Sequence, residues 1–141
     1  MRKILVAVDH GTLAEKIIVN AENLRRSING ECAIISVTDV TIDLSESGYT
    51  PIELVRLDKE ERKRFIHHLL EENNIECGQL FFESGKPKQI ILDVAYNWGA
   101  DILVIGTHGR KGIEHLLMGS CAEYIIRHSE IPVLVITSKH K

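Results

Sequence analysis

The chain has 141 residues, 44% of them hydrophobic and 26% charged, with 17 basic residues against 20 acidic ones and a formal charge of -3. This is the composition of a soluble globular protein, and the length predicts one domain over residues 1–141 whose core needs neither disulfides nor a structural metal. No basic excess favours a nucleic-acid backbone or an anionic membrane.

Residues 4–8 are continuously apolar and predict a strand buried on both faces. The run stops at Asp9, too soon for a signal-peptide core or a membrane span, so a cytoplasmic protein without membrane insertion is expected. Thr12-Leu-Ala-Glu15 has the form of a capping box, and apolar residues follow at Ala14, Ile17, Ile18, Ala21, Leu24 and Ile28 until Asn29-Gly30 ends the helix. A second strand covers 33–37, with Ser36 inside it. The connection 39–50 is polar and without period, long enough for a mobile flap or a partner site.

Thr50-Pro51-Ile52-Glu53 repeats the capping box with proline at the first helical position, predicting a helix over 51–73. Within it, Asp58-Lys-Glu-Glu-Arg-Lys-Arg64 is a run of charges in which Asp58 with Arg62 and Glu60 with Arg64 are i,i+4 pairs, so the run reads as a solvated face. The third strand, 79–82, has the weakest signal. A helix over Pro87–Trp98 ends at Gly99, and a strand follows at 102–105. Ser120-Cys-Ala-Glu123 is a third capping box and opens a helix running to about residue 128, before Pro132 forces the chain into a last strand, Val133–Ile136. Five apolar runs alternating with four helices specify an α/β fold with a doubly wound five-stranded parallel sheet and helices on both faces.

The cysteines Cys32, Cys77 and Cys121 form no CxxC pair and sit among apolar neighbours, which suits small buried thiols. The histidines are scattered. His67 and His68 point about 100° apart on a helix, and His108 and His115 lack a nearby ligand set, so no metal site is expected from spacing.

In such a sheet the ligand crevice lies beyond the carboxyl ends of the strands, where successive connections leave for opposite faces. The first strand delivers Asp9 there, the second Val37, Thr38 and Asp39, and the fourth Gly106-Thr-His-Gly109-Arg-Lys-Gly112. The glycines of that segment, together with Gly119 before Ser120 at the start of the last helix, let backbone amides approach an anion, and Arg110 and Lys111 add cations. The same residues also suit plain tight turns and a plain helix cap, and spacing alone leaves both readings open. Asp9 could hold a base, a ribose or a metal, or merely face a helix amino terminus. Lys86 starts a helix at the same sheet end. No GxxxxGK[ST], no GxGxxG after the first strand and no GxSxG occurs, which excludes a P-loop, a dinucleotide fingerprint and an esterase elbow.

These segments together resemble the universal stress protein family over nearly the whole chain. Gly106, Gly109 and Gly119-Ser120 match the Gly-2x-Gly-9x-Gly-Ser pattern of its ATP-binding subclass, and ILVAVD, ESGKP, DILVIGTHGR, LLMGS and AEYIIRHSEIPVLVI match the surrounding family segments. The resemblance implies a sheet in order 3-2-1-4-5, of the adenine nucleotide alpha hydrolase type, binding ATP at its carboxyl edge. By that resemblance Ala7, Val8 and Asp9 line the adenine and ribose pocket, Val37 contacts the base, and Ile105 and Gly106 continue the wall. His108, Gly109, Arg110, Gly119, Ser120 and the N–H of Cys121 lie along the phosphates, with magnesium or manganese able to bridge them. Relatives pair the last strand, Val133–Ile136, across a two-fold axis, so a homodimer is expected. Where relatives show a small Gly-Ser or Phe-Ser step after the first-strand aspartate, this chain has His10-Gly11-Thr12, which puts bulk near the base.

The function expected is a nucleotide-sensing regulatory dimer read by a further protein partner. A hydrolase would need a positioned base beside the phosphates, for which His108 is the candidate, leaving slow hydrolysis or phosphate transfer to Ser120 as a minor activity. The alternative is a small hydrolysing or phosphotransfer enzyme of the adenine nucleotide alpha hydrolase group, though 141 residues leave little room for an acceptor pocket. A phosphoacceptor receiver domain fails, because it needs paired acids after the first strand and an aspartate ending the third, where this chain has Asp9 alone and Glu83.

Overall fold

The computed structural model describes residues 2–40, 48–107 and 119–138. Strands β1 (Lys3–Ala7), β2 (Glu31–Asp39), β3 (Gln79–Gly85), β4 (Ile102–Gly106) and β5 (Val133–Ile136) alternate with helices α1 (Ala14–Ile28), α2 (Pro51–Glu72), α3 (Pro87–Trp98) and α4 (Ser120–His128). The strands form one sheet in order β3-β2-β1-β4-β5, and every neighbouring pair is parallel. This is the doubly wound fold that the alternation of apolar runs and helices predicts. Among the described residues no helix is long and apolar enough to cross a membrane.

The two-residue period of a strand sends alternate side chains to opposite layers. Ile4, Val6 and Val8 with Ile34 and Val104 meet Ala14, Ile17, Ile18 and Ala21 of α1 and Ile66, Leu69 and Leu70 of α2. Leu5, Ala7, Ala33, Ile35, Val37, Leu103 and Ile105 meet Ile91, Leu92 and Ala95 of α3 and Ala122 and Ile125 of α4. The central strands are buried on both faces, but β5 is not: it pairs with β4 alone, and Leu134 is exposed, because an edge strand has a neighbour on one side only.

Helix ends follow the chemistry in part. At α2 both reciprocal bonds of the Thr50 capping box form, with Glu53 N–H to Thr50 Oγ1 at 3.2 Å and Thr50 N–H to Glu53 Oε2 at 3.1 Å. Asn29 and Gly99 close α1 and α3 in the left-handed conformation, with φ 54° and 83°; glycine enters that region without a Cβ clash.

Two expected caps are corrected. Thr12 does not cap α1: Asp9 Oδ1 accepts the Gly11 N–H at 2.8 Å and Gly11 O accepts the Ala14 N–H, and this turn places Leu13 at the cap position with no side-chain bond. Ser120 does not cap α4 either. The Gly119 N–H is tied to Thr107 O, so Gly119 becomes the cap and Ser120 the first helical residue, while Glu123 turns to Arg127 at 2.8 Å.

On α1, Glu22 is buried and receives Arg25 Nε at 2.7 Å, Arg25 Nη2 at 2.9 Å and Arg26 Nε at 3.0 Å. The Arg25 bonds, against the opposing effect of burial and with help from Arg26, hold its carboxyl below the ordinary value of 4.5. A carboxyl with a depressed folded-state pKa contributes stability that is present above its unfolded value and is lost as pH falls through the folded one. Glu22→Gln is therefore expected to lower stability by about 0.5–1 kcal/mol at pH 7. The difference from the wild type should shrink to nothing as pH is taken well below 4.5, as read from urea unfolding at a series of pH values. A gap that stays constant down to full protonation would show that the charge has no part in it.

Candidate functional site

The carboxyl ends of the strands, the turn after β1 and the start of α4 enclose a cleft of about 650 Å³, within the range of small-molecule sites. It lies where the connections after β1 and β4 leave for opposite faces of the sheet. Ala7, Val8 and Asp9 line it from the end of β1, Val37 from β2, Ile105 and Gly106 from β4, and Gly119, Ser120 and Cys121 from the start of α4. The sequence-predicted residues within the described segments are thus brought together. His108, Gly109 and Arg110, as well as Lys111 and Gly112, lie outside the described residues, as does part of the 39–50 connection. Lys86 stands at the cap of α3, and it is Pro87 that reaches the cleft.

Three features give the cleft its chemistry. The first intrahelical bond of α4 runs from the Glu123 N–H to Gly119 O at 3.0 Å, so the N–H groups of Ser120, Cys121 and Ala122 have no intrahelical acceptor and lend the entrance partial positive charge. Thr107 lies at the junction of β4, β5 and α4, its N–H bonded to Ile136 O at 3.1 Å and its carbonyl accepting from Gly119. Its hydroxyl is buried, faces no partner among the described residues, and belongs to a residue lining the cleft. A buried hydroxyl left unpaired is destabilising by about 1–3 kcal/mol, so a ligand hydrogen bond there has a waiting partner.

The third feature corrects the reading of the charged run on α2 at Asp58 and Arg62, while Glu60, Glu61, Lys63 and Arg64 are exposed as a solvated face should be. Arg62 is only 8% exposed and lines the cleft, donating from Nε to Asp58 Oδ2 at 2.7 Å and from Nη1 to Ser36 Oγ at 2.9 Å. The Thr38 hydroxyl donates to the same Asp58 oxygen at 2.6 Å, and His10 Nε2 lies 3.6 Å from Asp58 Oδ1. Burial pushes the Asp58 carboxyl up, but the Thr38 hydroxyl, Arg62 and His10 together outweigh it and hold the carboxyl below its ordinary value. The i,i+4 pair is real, yet it faces the sheet. Ser36 and Thr38 carried the signal: polar residues at alternate positions of an otherwise apolar strand need partners on the layer they face.

The three cysteines are free and half-buried. Burial raises the thiols of Cys77 and Cys121 and pushes that of Cys32 up to about 12, so all three stay protonated at neutral pH.

The profile of the universal stress protein family matches residues 1–137. Among curated relatives, universal stress protein Sll1388 of Synechocystis sp. is 28% identical over 95% of this chain and 96% of its own length. Universal stress protein MJ0531 of Methanocaldococcus jannaschii is 28% identical over 99% of this chain and 84% of its own. Among solved structures, that of the hypothetical protein MJ0577 superimposes with a TM-score of 0.82 at 26% identity over 99% of this chain and 98% of that one. A universal stress protein in complex with cAMP shares the fold with a TM-score of 0.62 at 18% identity, covering 98% of both chains.

Proposed function

The chain belongs to the universal stress protein family, a family of stress-response proteins, and on that premise we propose that it binds ATP in this cleft and acts as a nucleotide-sensing dimer. The observation that carries the reading is the buried Thr107 hydroxyl, unpaired among the described residues, in a cleft also lined by Ser120, Cys121 and Ala122, whose N–H groups have no intrahelical acceptor. Donors and partial positive charge gathered at a helix amino terminus suit phosphate, and the apolar walls from Ala7, Val8, Val37 and Ile105 suit a base.

In this reading Asp9 and Gly106 border the adenosine, and Gly119, Ser120 and the Cys121 N–H hold the phosphates. Gly109, His108 and Arg110 complete the phosphate side, with magnesium or manganese carried in by the nucleotide. That one protein of this fold holds cAMP adds that the fold itself has room for an adenine nucleotide. For the dimer, the support is β5: it stands at the sheet edge with Leu134 exposed, and an apolar edge left bare invites pairing with a second copy.

Denaturing the purified protein and identifying released nucleotide by mass spectrometry tests the reading directly. ATP at 100 times its dissociation constant should add about 2.7 kcal/mol to the unfolding free energy. Thr107→Val should leave the nucleotide-free protein at least as stable, since it removes an unpaired hydroxyl, and should weaken ATP by about tenfold, the worth of one hydrogen bond to a charged group. No released nucleotide and no ATP-dependent rise in melting temperature would overturn the reading; a rise with AMP or cAMP but not ATP would redefine the ligand.

A further inference from the structure

We propose that His10, Asp58 and Glu61 form a binding site for a divalent cation of the zinc class at the rim of the cleft. Their candidate ligand atoms all lie within 4.8 Å of one another. Asp58 and Glu61 are three apart on α2 and so share a helix face, while His10 arrives from the turn after β1. Read one stretch at a time, the sequence offers no such set, because the imidazole and the carboxylates are far apart along the chain.

One of the three spacings is close to what a small ion requires. A tetrahedral zinc ion with bonds of about 2.0–2.1 Å holds its ligand atoms about 3.4 Å apart, and His10 Nε2 already lies 3.6 Å from Asp58 Oδ1. His10 and Glu61 are exposed and have room to turn toward a shared ion. Asp58 is the oriented member. Its Oδ2 is engaged by Thr38 at 2.6 Å and Arg62 at 2.7 Å, which leaves Oδ1 toward His10. Outer groups that fix a ligating carboxylate in this way are the usual support of a metal centre.

One imidazole with two carboxylates suits zinc, cobalt or nickel better than magnesium, which prefers oxygen alone. Three protein ligands leave a coordination position for water or for an oxygen of whatever occupies the cleft, which His10 also lines. The competing account of the same contact is an ion pair between protonated His10 and Asp58; it requires no ion and gives Glu61 no part.

The test is zinc titration of nucleotide-free protein by calorimetry, repeated with cobalt to read ligand-field bands in the visible spectrum. The wild type should bind one equivalent of zinc, and its cobalt bands should be those of a low-coordinate site. His10→Ala and Glu61→Gln, both at exposed positions, should each weaken zinc by about tenfold or more and diminish the cobalt bands. Absence of saturable zinc binding in the wild type, or wild-type affinity in either variant, overturns the site. Because no nucleotide is present, the result does not depend on whether the cleft binds ATP.

Discussion

Asp58→Ala is expected to lower the unfolding free energy by about 3 kcal/mol or more, the loss seen when one partner of a buried ion pair is removed. The reason lies in what stays behind. Arg62 is 8% exposed and would keep its charge with only the Ser36 hydroxyl as partner among the described residues, and the buried Thr38 hydroxyl would lose its acceptor. The carboxylate itself is 28% exposed, so water can reach part of the vacated space, and this sets the expectation at the lower end of the range for such pairs. Chemical denaturation should show the loss as a fall in midpoint at unchanged slope. Combining Asp58→Leu with Arg62→Met should recover only part of it: apolar replacement of both partners is often close to neutral, but the buried Ser36 and Thr38 hydroxyls would still lose the bonds they make to Arg62 and Asp58. A loss under about 1 kcal/mol for Asp58→Ala would return the pair to the class of surface ion pairs.

Gly106→Val is expected to destabilise by about 1–2 kcal/mol, within the range for overpacking. A Cβ at Gly106 would stand 2.7 Å from Ile17 Cδ1 and 2.8 Å from Leu13 Cδ2, both buried. Both atoms are the far ends of side chains, so Leu13 and Ile17 would have to take other rotamers, toward the cleft that both of them line. Gly106→Ala should cost less than half as much, and its structure should show Leu13 and Ile17 in changed rotamers. If valine is accepted with no change in melting temperature, the glycine is not needed for packing.

Gly106 shows how a sequence position can be identified for one reason and used for another. Its place after a buried strand and before further glycines suggests close approach to an anion, and it does line the cleft. Its missing side chain, however, makes room for Leu13 and Ile17. Spacing reports that a residue is small; it does not report on which side the space is filled.

The capping boxes make a similar point. Thr50-Pro51-Ile52-Glu53 forms both bonds. The same pattern at Thr12 and Ser120 does not, because Asp9 and Thr107 fix the preceding backbone one residue away from where the pattern needs it. A cap is a local competition for N–H groups, and a tertiary hydrogen bond just upstream decides it.

By itself the sequence determined the layering: apolar runs of strand length alternating with helices of period 3.6 admit a parallel sheet covered on both faces, and hence a crevice at its carboxyl edge holding Asp9, Val37 and the start of α4. Local periodicity is enough for this, since each element must bury its own apolar face. Only the tertiary structure decided that Asp58 and Arg62 turn inward to Ser36 and Thr38, that His10 meets Asp58 and Glu61, and that the Thr107 hydroxyl is buried without a partner among the described residues. Charges and hydroxyls carry no periodic signature of their own. Whether they face water or one another depends on which distant elements the fold brings alongside them.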